Sequence, residues 1–222
     1  MGKLVVLSGL DGSGKGTQLN LIKKYFEDNN IKYVYLHFPM YDHNIYGKII
    51  AAYLRGEYGD INEVDPIFVA NIYAMDRFLY LPMLNKQLEE NDVVLLDRYV
   101  FCNMAYQGAK HDTEIQSQIM RNWIDELEFG FLELPYPDLT VFFDVPIETI
   151  KARLEETREG DDRNYLNGKK DIHEANIEFQ SKVRDNYLAL KEYQNYIIIP
   201  CLNDTPEEIF EKYKIQLKRT LL

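Results

Sequence analysis

Residues 3–17 read KLVVLSGLDGSGKGT, and this stretch decides the fold. Its first part, Lys3–Ser8, is a short apolar run rich in Val and Leu, a pattern typical of a buried parallel strand. After a glycine-rich turn, Leu19, Ile22 and Phe26 recur at helical spacing. A strand, a glycine-rich turn and a helix in this order favour a phosphate-binding loop, because backbone N–H groups and the helix N-terminus attract anions.

The loop departs from the strict phosphate-loop pattern at one position. That pattern has Ser or Thr directly after the lysine, whereas Gly16 follows Lys15 here and Thr17 comes next. Lys15 is predicted to contact the β- and γ-phosphates of a nucleotide. A direct hydroxyl bond to Mg²⁺ is less expected, so we predict Mg²⁺ to be held mainly through phosphates and water, with Thr17 and Asp97 as the candidate protein groups.

The remaining chain alternates short apolar runs with long helical patterns. Four further strands are predicted at Lys32–His37, Val93–Asp97, Leu139–Asp144 and Tyr196–Pro200. This alternation predicts an α/β fold of the P-loop NTPase type, with a parallel sheet of about five strands flanked by helices on both faces. No repeat or linker divides the sequence, so we expect residues 1–222 to form one domain with a short mobile lid.

Two of the helical patterns make specific predictions. Phe68, Ile72, Met75 and Leu79 recur as a stripe that should face the core, and Pro82 should kink or end that helix. The last helix should begin after Thr205, with Pro206 at its first position and Glu208 completing a capping box.

Composition and charge limit the classes of partner. The 222 residues carry a net charge of −11, which argues against a nucleic-acid polymer, because phosphate backbones select basic surfaces. The sequence leads directly into a strand and offers no evident membrane-spanning run, so we expect neither a signal peptide nor a membrane partner. Cys102 and Cys201 lack metal-ligand spacing and are expected to be free thiols in a cytoplasmic protein.

A second set of motifs follows the predicted strand at Val93–Asp97. Asp97-Arg98-Tyr99 stands at its carboxyl end, where open α/β sheets bind ligands, and Asn103 and Ala105-Tyr106-Gln107-Gly108 come next. This block, behind the GLDGSGK loop, closely resembles thymidylate kinases. Weaker similarities to that family extend over most of the chain: Phe38-Pro39, Gly47-Lys48, Asp76-Arg77 and the Phe179, Val183, Tyr187 pattern.

The resemblance implies transfer of the γ-phosphoryl group of ATP to thymidylate (dTMP), giving dTDP and ADP, by a homodimer. It assigns ATP to the loop residues Gly9, Leu10, Asp11, Gly12, Ser13, Gly14, Lys15, Gly16 and Thr17. It assigns the acceptor to eight residues: Arg98 for its phosphate, Tyr73 for stacking on thymine, Arg77 for O4, Asn103 for the base edge, Tyr106 against a 2′-hydroxyl, Asp11 for the 3′-hydroxyl, and Phe38 and Gln107 as pocket residues. Each residue alone has a plainer interpretation; Arg98 could pair structurally with Asp97, and Tyr73 could belong to the core.

The sequence departs from the family pattern at two positions, and at each one another cation must take the place of a missing arginine. Many relatives carry an arginine shortly after Phe38-Pro39, but Met40-Tyr41-Asp42-His43 stands there, so phosphate binding must rest on Arg98, with Lys48 or a lid residue as helpers. Some relatives have an arginine at the position of Gly12, and this sequence resembles those that place the cation in the lid.

The predicted lid is Glu155–Asp171, a charged, glycine-containing stretch with few apolar residues. Arg158 and Arg163 are its candidate catalytic residues, together with Lys15 and Asp97 in the rest of the chain, and Arg153 lies at its base. Lys169 and Lys170 are weaker candidates, and a solvated mixed-charge loop is the plainer interpretation. Asp97 is expected to orient Mg²⁺ through water and to hold Arg98.

Other functions remain open from the residues alone. The first alternative is a kinase for another nucleoside monophosphate or for a deoxynucleoside. A nucleoside kinase needs a general base, and Phe38-Pro39-Met40-Tyr41 offers no carboxylate before Asp42. A non-enzymatic nucleotide-binding regulator is the remote alternative; for GTP it would need an Asn-Lys-x-Asp run, which the sequence lacks.

Overall fold

The computed structural model describes residues 1–155, 165–166, 168–169, 171–174 and 176–222. Its strands are β1 (Lys3–Ser8), β2 (Tyr33–His37), β3 (Val93–Asp97), β4 (Leu139–Asp144) and β5 (Tyr196–Pro200). Its α-helices are α1 (Lys15–Asp28), α2 (Ile45–Leu54), α3 (Pro66–Glu90), α4 (Val100–Gly108), α5 (Glu114–Asp125), α6 (Ile147–Glu155), α7 (Ile177–Ala189) and α8 (Pro206–Leu221). A π-helical segment, Glu126–Phe131, continues α5, and a short 3-10 turn, Leu190–Glu192, follows α7.

The five strands form one parallel sheet in the order β2-β3-β1-β4-β5, with helices on both faces. The predicted α/β fold is therefore confirmed, and β2 begins one residue later than predicted. Within β1, Val5, Val6 and Leu7 are fully buried. Burying each such side chain stabilises the fold by about 1.5–3 kcal/mol, which explains why a continuous apolar run forms the central strand.

The carboxyl ends of β1 and β3 lie side by side, because Leu7 pairs with Asp97 in the parallel register. The loop after β1 leads into α1 through Gly14, which caps that helix with φ 85°. A side chain would be strained in this left-handed conformation, so glycine is required for the sharp entry into the helix. The predicted stripe of Leu19, Ile22 and Phe26 packs into the core.

The stripe predicted for α3 is wrong in part. Ile72 is buried, but Phe68 and Leu79 are about half exposed. The buried residues of α3 also include apolar residues outside the predicted stripe, small residues and two hydrogen-bonded charged residues: Val69, Leu84, Leu88, Ala70, Ala74, Asp76 and Arg77. A pattern of large apolar residues does not register alanines or charged residues that are buried through hydrogen bonds, and this explains part of the error.

The long helix α3 does not end at the proline inside it. It continues past Pro82 to Glu90, so Pro82 does not end the helix, and the kink predicted as the other outcome stays a prediction. By length and composition α3 could cross a membrane, the one helix that could within the described ranges. Core helices of globular proteins often meet the same criterion, and α3 places Asp76 and Arg77 in buried positions against other parts of the chain.

The C-terminal helix α8 begins as predicted. The Thr205 hydroxyl accepts from the backbone N–H of Glu208 at 3.2 Å, and the Glu208 carboxylate accepts from the backbone N–H of Thr205 at 2.8 Å. The helix packs beside α1, where the Tyr213 hydroxyl donates to the side chain of Gln18 at 3.1 Å.

The predicted lid, Glu155–Asp171, is described only in part. Arg158, Arg163 and Lys170 lie outside the described residues, so their roles stay predictions. At the far end of the segment Leu166 and Asp171 are buried, which corrects the expectation of a surface segment there. This end is fixed to α2, because Ile172 donates its backbone N–H to the Leu54 carbonyl at 3.0 Å.

Candidate active site

A cavity of about 1380 Å³ opens at the carboxyl ends of β1 and β3. It exceeds the usual volume for one small ligand, about 300–1,000 Å³. Among the residues that line it are predicted members of both halves of the site: Asp11, Gly12, Ser13, Gly14, Lys15, Gly16, Thr17, Phe38, Tyr73, Arg77, Asp97, Arg98, Asn103, Tyr106 and Gln107. The fold therefore brings the two predicted groups of residues to one continuous space.

Lys15 lies at the centre of the phosphate loop. Its side chain is buried, and Nζ donates to the carbonyl oxygens of Gly9 and Leu10, each at 3.0 Å. Burial lowers the pKa of Lys15, and the positive charge of Arg98 lowers it further. The ammonium group is thus held inside the loop by neutral acceptors, which a phosphate could replace.

Arg98 connects the two halves of the cavity. It has φ 65°, and its backbone N–H donates to the Leu7 carbonyl at 3.0 Å. Its guanidinium forms an ion pair with Asp11, and NH1 donates to the Tyr106 hydroxyl at 3.4 Å. That hydroxyl donates in turn to Asp11 at 3.2 Å. Three residues predicted to bind the phosphoryl-accepting nucleotide therefore form one hydrogen-bonded group.

Asp97 does not hold Arg98, and this expectation is corrected. The partner of Arg98 is Asp11, on the loop after β1, because successive side chains at a strand end point in different directions. Asp97 instead keeps a buried Oδ1 without a hydrogen-bond partner in the described part of the chain. A carboxylate oxygen of this kind fits a hydrated Mg²⁺, which prefers oxygen ligands and retains water. Thr17, which also lines the cavity, is exposed at the start of α1.

Arg77 and Asn103 line the cavity together with Tyr73, away from the phosphate loop, and this part is called the base end. Arg77 is 2% exposed and donates from Nε and NH2 to the two carboxylate oxygens of Glu128, at 2.6 Å each. Asn103 donates from Nδ2 to the Ala70 carbonyl at 3.1 Å and to Glu128 at 2.8 Å. These bonds leave the buried Oδ1 of Asn103 without a partner among the described residues.

The structure adds residues that sequence reasoning missed. Tyr41 and Tyr165 line the cavity and stack on each other, with ring centroids 4.0 Å apart. The Tyr165 hydroxyl donates to Asp171 at 2.8 Å. Burial raises the pKa of Asp171 to about 7, with a further contribution from the negative charge of Asp11. Tyr41 lies three residues after Phe38, a predicted pocket residue, and this proximity is a sequence signal for a place in the cavity. Asp171 lies at the end of the predicted lid, and its sequence position gives no signal of a buried place in the cavity.

Two of the predicted helper cations, Lys48 and Arg153, are described by the structure, and only Arg153 of these two lines the cavity. Lys48, a predicted helper for the acceptor phosphate, is exposed and does not line the cavity. Arg153 does line it and donates from NH1 to the Gly12 carbonyl at 2.8 Å. A guanidinium therefore stands beside the glycine position at which the loop itself has no side-chain cation.

Comparison with known proteins agrees with this arrangement. The thymidylate kinase family model matches residues 7–212. A probable thymidylate kinase from Saccharolobus solfataricus is 30% identical over 215 residues, covering 97% of each chain. Thymidylate kinase from Mycobacterium tuberculosis is 29% identical over 187 residues, covering 84% of this chain and 85% of that protein.

A solved structure of Candida albicans thymidylate kinase has a similar fold. It superposes with a TM-score of 0.74 at 22% identity, covering 100% of this chain and 94% of that one. The family model extends from β1 into α8 and so includes both halves of the cavity. The chain belongs to the thymidylate kinase family.

Proposed function

We propose that this protein is a thymidylate kinase that transfers the γ-phosphoryl group of ATP to dTMP, giving dTDP and ADP. One observation carries the proposal: Arg98, Arg77 and Asn103 line the same cavity as the Lys15 loop. Two nucleotides bound from opposite ends would meet phosphate to phosphate near Lys15 and Arg98. We also infer that residues 1–222 act as one domain.

The donor end is suited to the triphosphate of ATP. The loop's backbone N–H groups and the N-terminus of α1 supply positive potential, and Lys15 supplies a full charge. When ATP binds, the Lys15 ammonium would exchange the Gly9 and Leu10 carbonyls for phosphate oxygens. Arg153, beside Gly12, would add a second positive charge at the same phosphates.

The base end is suited to thymine rather than cytosine. The unpartnered Oδ1 of Asn103 is a hydrogen-bond acceptor, and thymine carries a donor at N3 where cytosine carries an acceptor. Arg77 is a donor, and thymine has an acceptor at C4 where cytosine has an amino group. Tyr73 would stack on the ring, and Phe38 and Gln107 would complete the pocket.

The sugar and phosphate of dTMP would occupy the middle of the cavity. Arg98 would hold the acceptor phosphate through its planar fork of donors, in exchange for part of its contact with Asp11. Asp11 would then be available to the 3′-hydroxyl, and the Tyr106 ring would leave no room for a 2′-hydroxyl.

The transfer step needs alignment and charge neutralisation more than acid–base chemistry. The acceptor phosphate is already an anionic nucleophile, so no residue has to remove a proton from it. Bound Mg²⁺, held by Asp97 through water and by Thr17, would neutralise phosphate charge. Lys15, Arg98 and Arg153 would fix the two phosphate chains in line, and Arg158 and Arg163 stay predicted lid contributors.

We infer that the protein acts as a cytoplasmic homodimer. Phe68, Leu79 and Met83 are each more than two-fifths exposed along α3, and such an apolar surface favours contact with a second copy. The thiols of Cys102 and Cys201 are free and buried, which agrees with a reducing compartment. Sedimentation equilibrium tests the dimer: twice the chain mass is expected, and a monomer at micromolar concentration would contradict it.

Release of ADP from ATP in the presence of dTMP tests the proposed reaction. We expect ADP and dTDP in equal amounts, with Mg²⁺ required and little ADP formed when dTMP is omitted. Equal ADP release with and without dTMP would indicate an ATPase or a nucleotide-binding regulator. Transfer to thymidine but not to dTMP would indicate a nucleoside kinase.

A further inference from the structure

Glu128 is a buried carboxylate that contacts both residues at the base end of the cavity. It is 0% exposed and lies on the π-helical segment Glu126–Phe131. Its two oxygens accept from Nε and NH2 of Arg77, and one of them, Oε1, also accepts from Nδ2 of Asn103. A π-helical segment widens the helix locally and redirects its side chains, and such segments are frequent at functional sites.

We propose that Glu128 is a positioning residue that sets the base specificity of this kinase by fixing the orientations of Arg77 and Asn103. The proposal rests on the proposed function, since it names the residue that aligns the thymine contacts. Glu128 itself does not line the cavity, so it acts through these two side chains.

The orientation of Asn103 follows from its neighbours. The Ala70 carbonyl and the Glu128 carboxylate are both acceptors, so the amide must turn its NH₂ group toward them. The carbonyl oxygen of Asn103 is then forced away from both and becomes the buried acceptor without a partner. Glu128 thereby makes Asn103 an acceptor toward the base, and an acceptor selects a base with a proton on N3.

The orientation of Arg77 follows from the same carboxylate. A bidentate pair fixes the guanidinium plane and uses Nε and NH2, which leaves NH1 as the donor for another group. Burial alone would lower the pKa of Arg77, but the charge and hydrogen bonds of Glu128 outweigh burial and raise it. The Arg77–Glu128 ion pair therefore adds no net charge beside a neutral base, and Arg77 can still donate a hydrogen bond from NH1.

Glu128→Gln tests the inference because it keeps the shape and replaces one acceptor oxygen with a donor NH₂. That group must face a donor of Arg77 or of Asn103, so at least one of the two contacts is lost. We expect the KM for dTMP to rise and the preference for dTMP over dCMP in kcat/KM to fall about 10- to 100-fold, as for a lost hydrogen bond to a charged group. The KM for ATP should stay within about twofold, because the donor end is unchanged.

Two further variants complete the experiment. Glu126→Gln makes the same chemical change at an exposed position of the same segment, and its kinetics should match wild type. Glu128→Asp keeps the charge but shortens the side chain, so it should lose part of the dTMP preference. Circular dichroism checks that each variant is folded.

The outcomes separate this inference from the proposed function. If wild type does not phosphorylate dTMP, the proposed function is wrong. If wild type does so and folded Glu128→Gln keeps both its KM and its preference, only the role of Glu128 is wrong. Loss of the fold in both Glu128 variants would assign Glu128 to stability and would also overturn the inference.

Discussion

Arg153, near the end of α6, donates a hydrogen bond from NH1 to the carbonyl oxygen of Gly12 in the phosphate loop, 2.8 Å away. The two residues are 141 positions apart in the chain, and the contact brings a cation to a loop position that has no side chain. A Cβ placed on Gly14, two residues further along the loop, would lie 3.9 Å from the same NH1. Arg153 is therefore the described residue best placed to supply the missing charge.

Replacing Arg153 with Ala should reduce kcat/KM for ATP about 10- to 100-fold, because a charge at the phosphates is lost. The KM for dTMP should change little, since Arg153 lies at the donor end. Lys151→Ala, an exposed cation on the same helix, is the matched control and should behave as wild type. Unchanged kinetics in Arg153→Ala would leave Arg158 and Arg163 as the sources of charge.

Replacing Lys15 with Ala should reduce turnover at least about 100-fold, because the charge nearest the transferred group disappears. The variant should remain folded, since among the described residues the Lys15 ammonium bonds to two carbonyl groups of its own loop and to no other element. Lys24→Ala, on an exposed position of α1, serves as the control. A Lys15 variant that keeps more than a tenth of wild-type turnover would contradict an electrostatic role.

Replacing Arg98 with Ala should raise the KM for dTMP about 10- to 100-fold and leave the KM for ATP nearly unchanged. The guanidinium is lost from the acceptor phosphate, and the positive φ of 65° is no harder for Ala than for Arg. Arg98→Lys keeps the charge but loses the planar pair of guanidinium donors, so its KM for dTMP should lie between those of wild type and Arg98→Ala. Equal losses for ATP and dTMP would mean that Arg98 is structural.

Asp171 should make stability depend on pH. Burial and the charge of Asp11 raise its pKa from 3.8 to about 7, so between these values the folded protein holds a proton that the unfolded chain releases. The contribution of Asp171 to the free energy of unfolding should therefore fall by at most about 1.4 kcal/mol per pH unit as the pH rises from about 4 to about 7. Above about pH 7 it should stay constant.

Asp171→Asn isolates that contribution, because the amide can still accept from the His173 N–H and does not titrate. Urea unfolding of both proteins from pH 5 to 8 measures the difference in unfolding free energy. The wild type should lose stability relative to the variant as the pH rises. A difference that stays constant with pH would show that Asp171 is already ionised in the folded protein.

The parts predictable from sequence were those encoded by neighbouring residues. The loop from Gly9 to Thr17 and the cap at Thr205 depend on local spacing, and the strands follow from short apolar runs. Pairings across the fold left no comparable signal. Arg77 and Glu128 are 51 positions apart, and nothing near Glu128 marks it as a buried ion-pair partner.

The same limit explains the misassigned partner of Arg98. Asp97 is its neighbour in sequence, but Asp11, 87 positions away, is its neighbour in space. The sheet register aligns Leu7 with Asp97 and so brings the loop after β1 against the residue after β3. Sequence patterns identify which residues belong to a site more readily than they identify which of them touch.

The most direct test of the central claim is the kcat/KM for phosphoryl transfer from ATP to a panel of acceptors: dTMP, deoxyuridylate, uridylate, dCMP and thymidine. Thymidylate should have the highest kcat/KM. The value for deoxyuridylate should be lower by an amount equivalent to at most about 1–3 kcal/mol of transition-state binding, because deoxyuridylate lacks one methyl contact. Uridylate should be far poorer because its 2′-hydroxyl meets Tyr106, and dCMP should fail against Asn103 and Arg77. A panel in which uridylate or dCMP equals dTMP, or in which only thymidine is phosphorylated, would contradict the account.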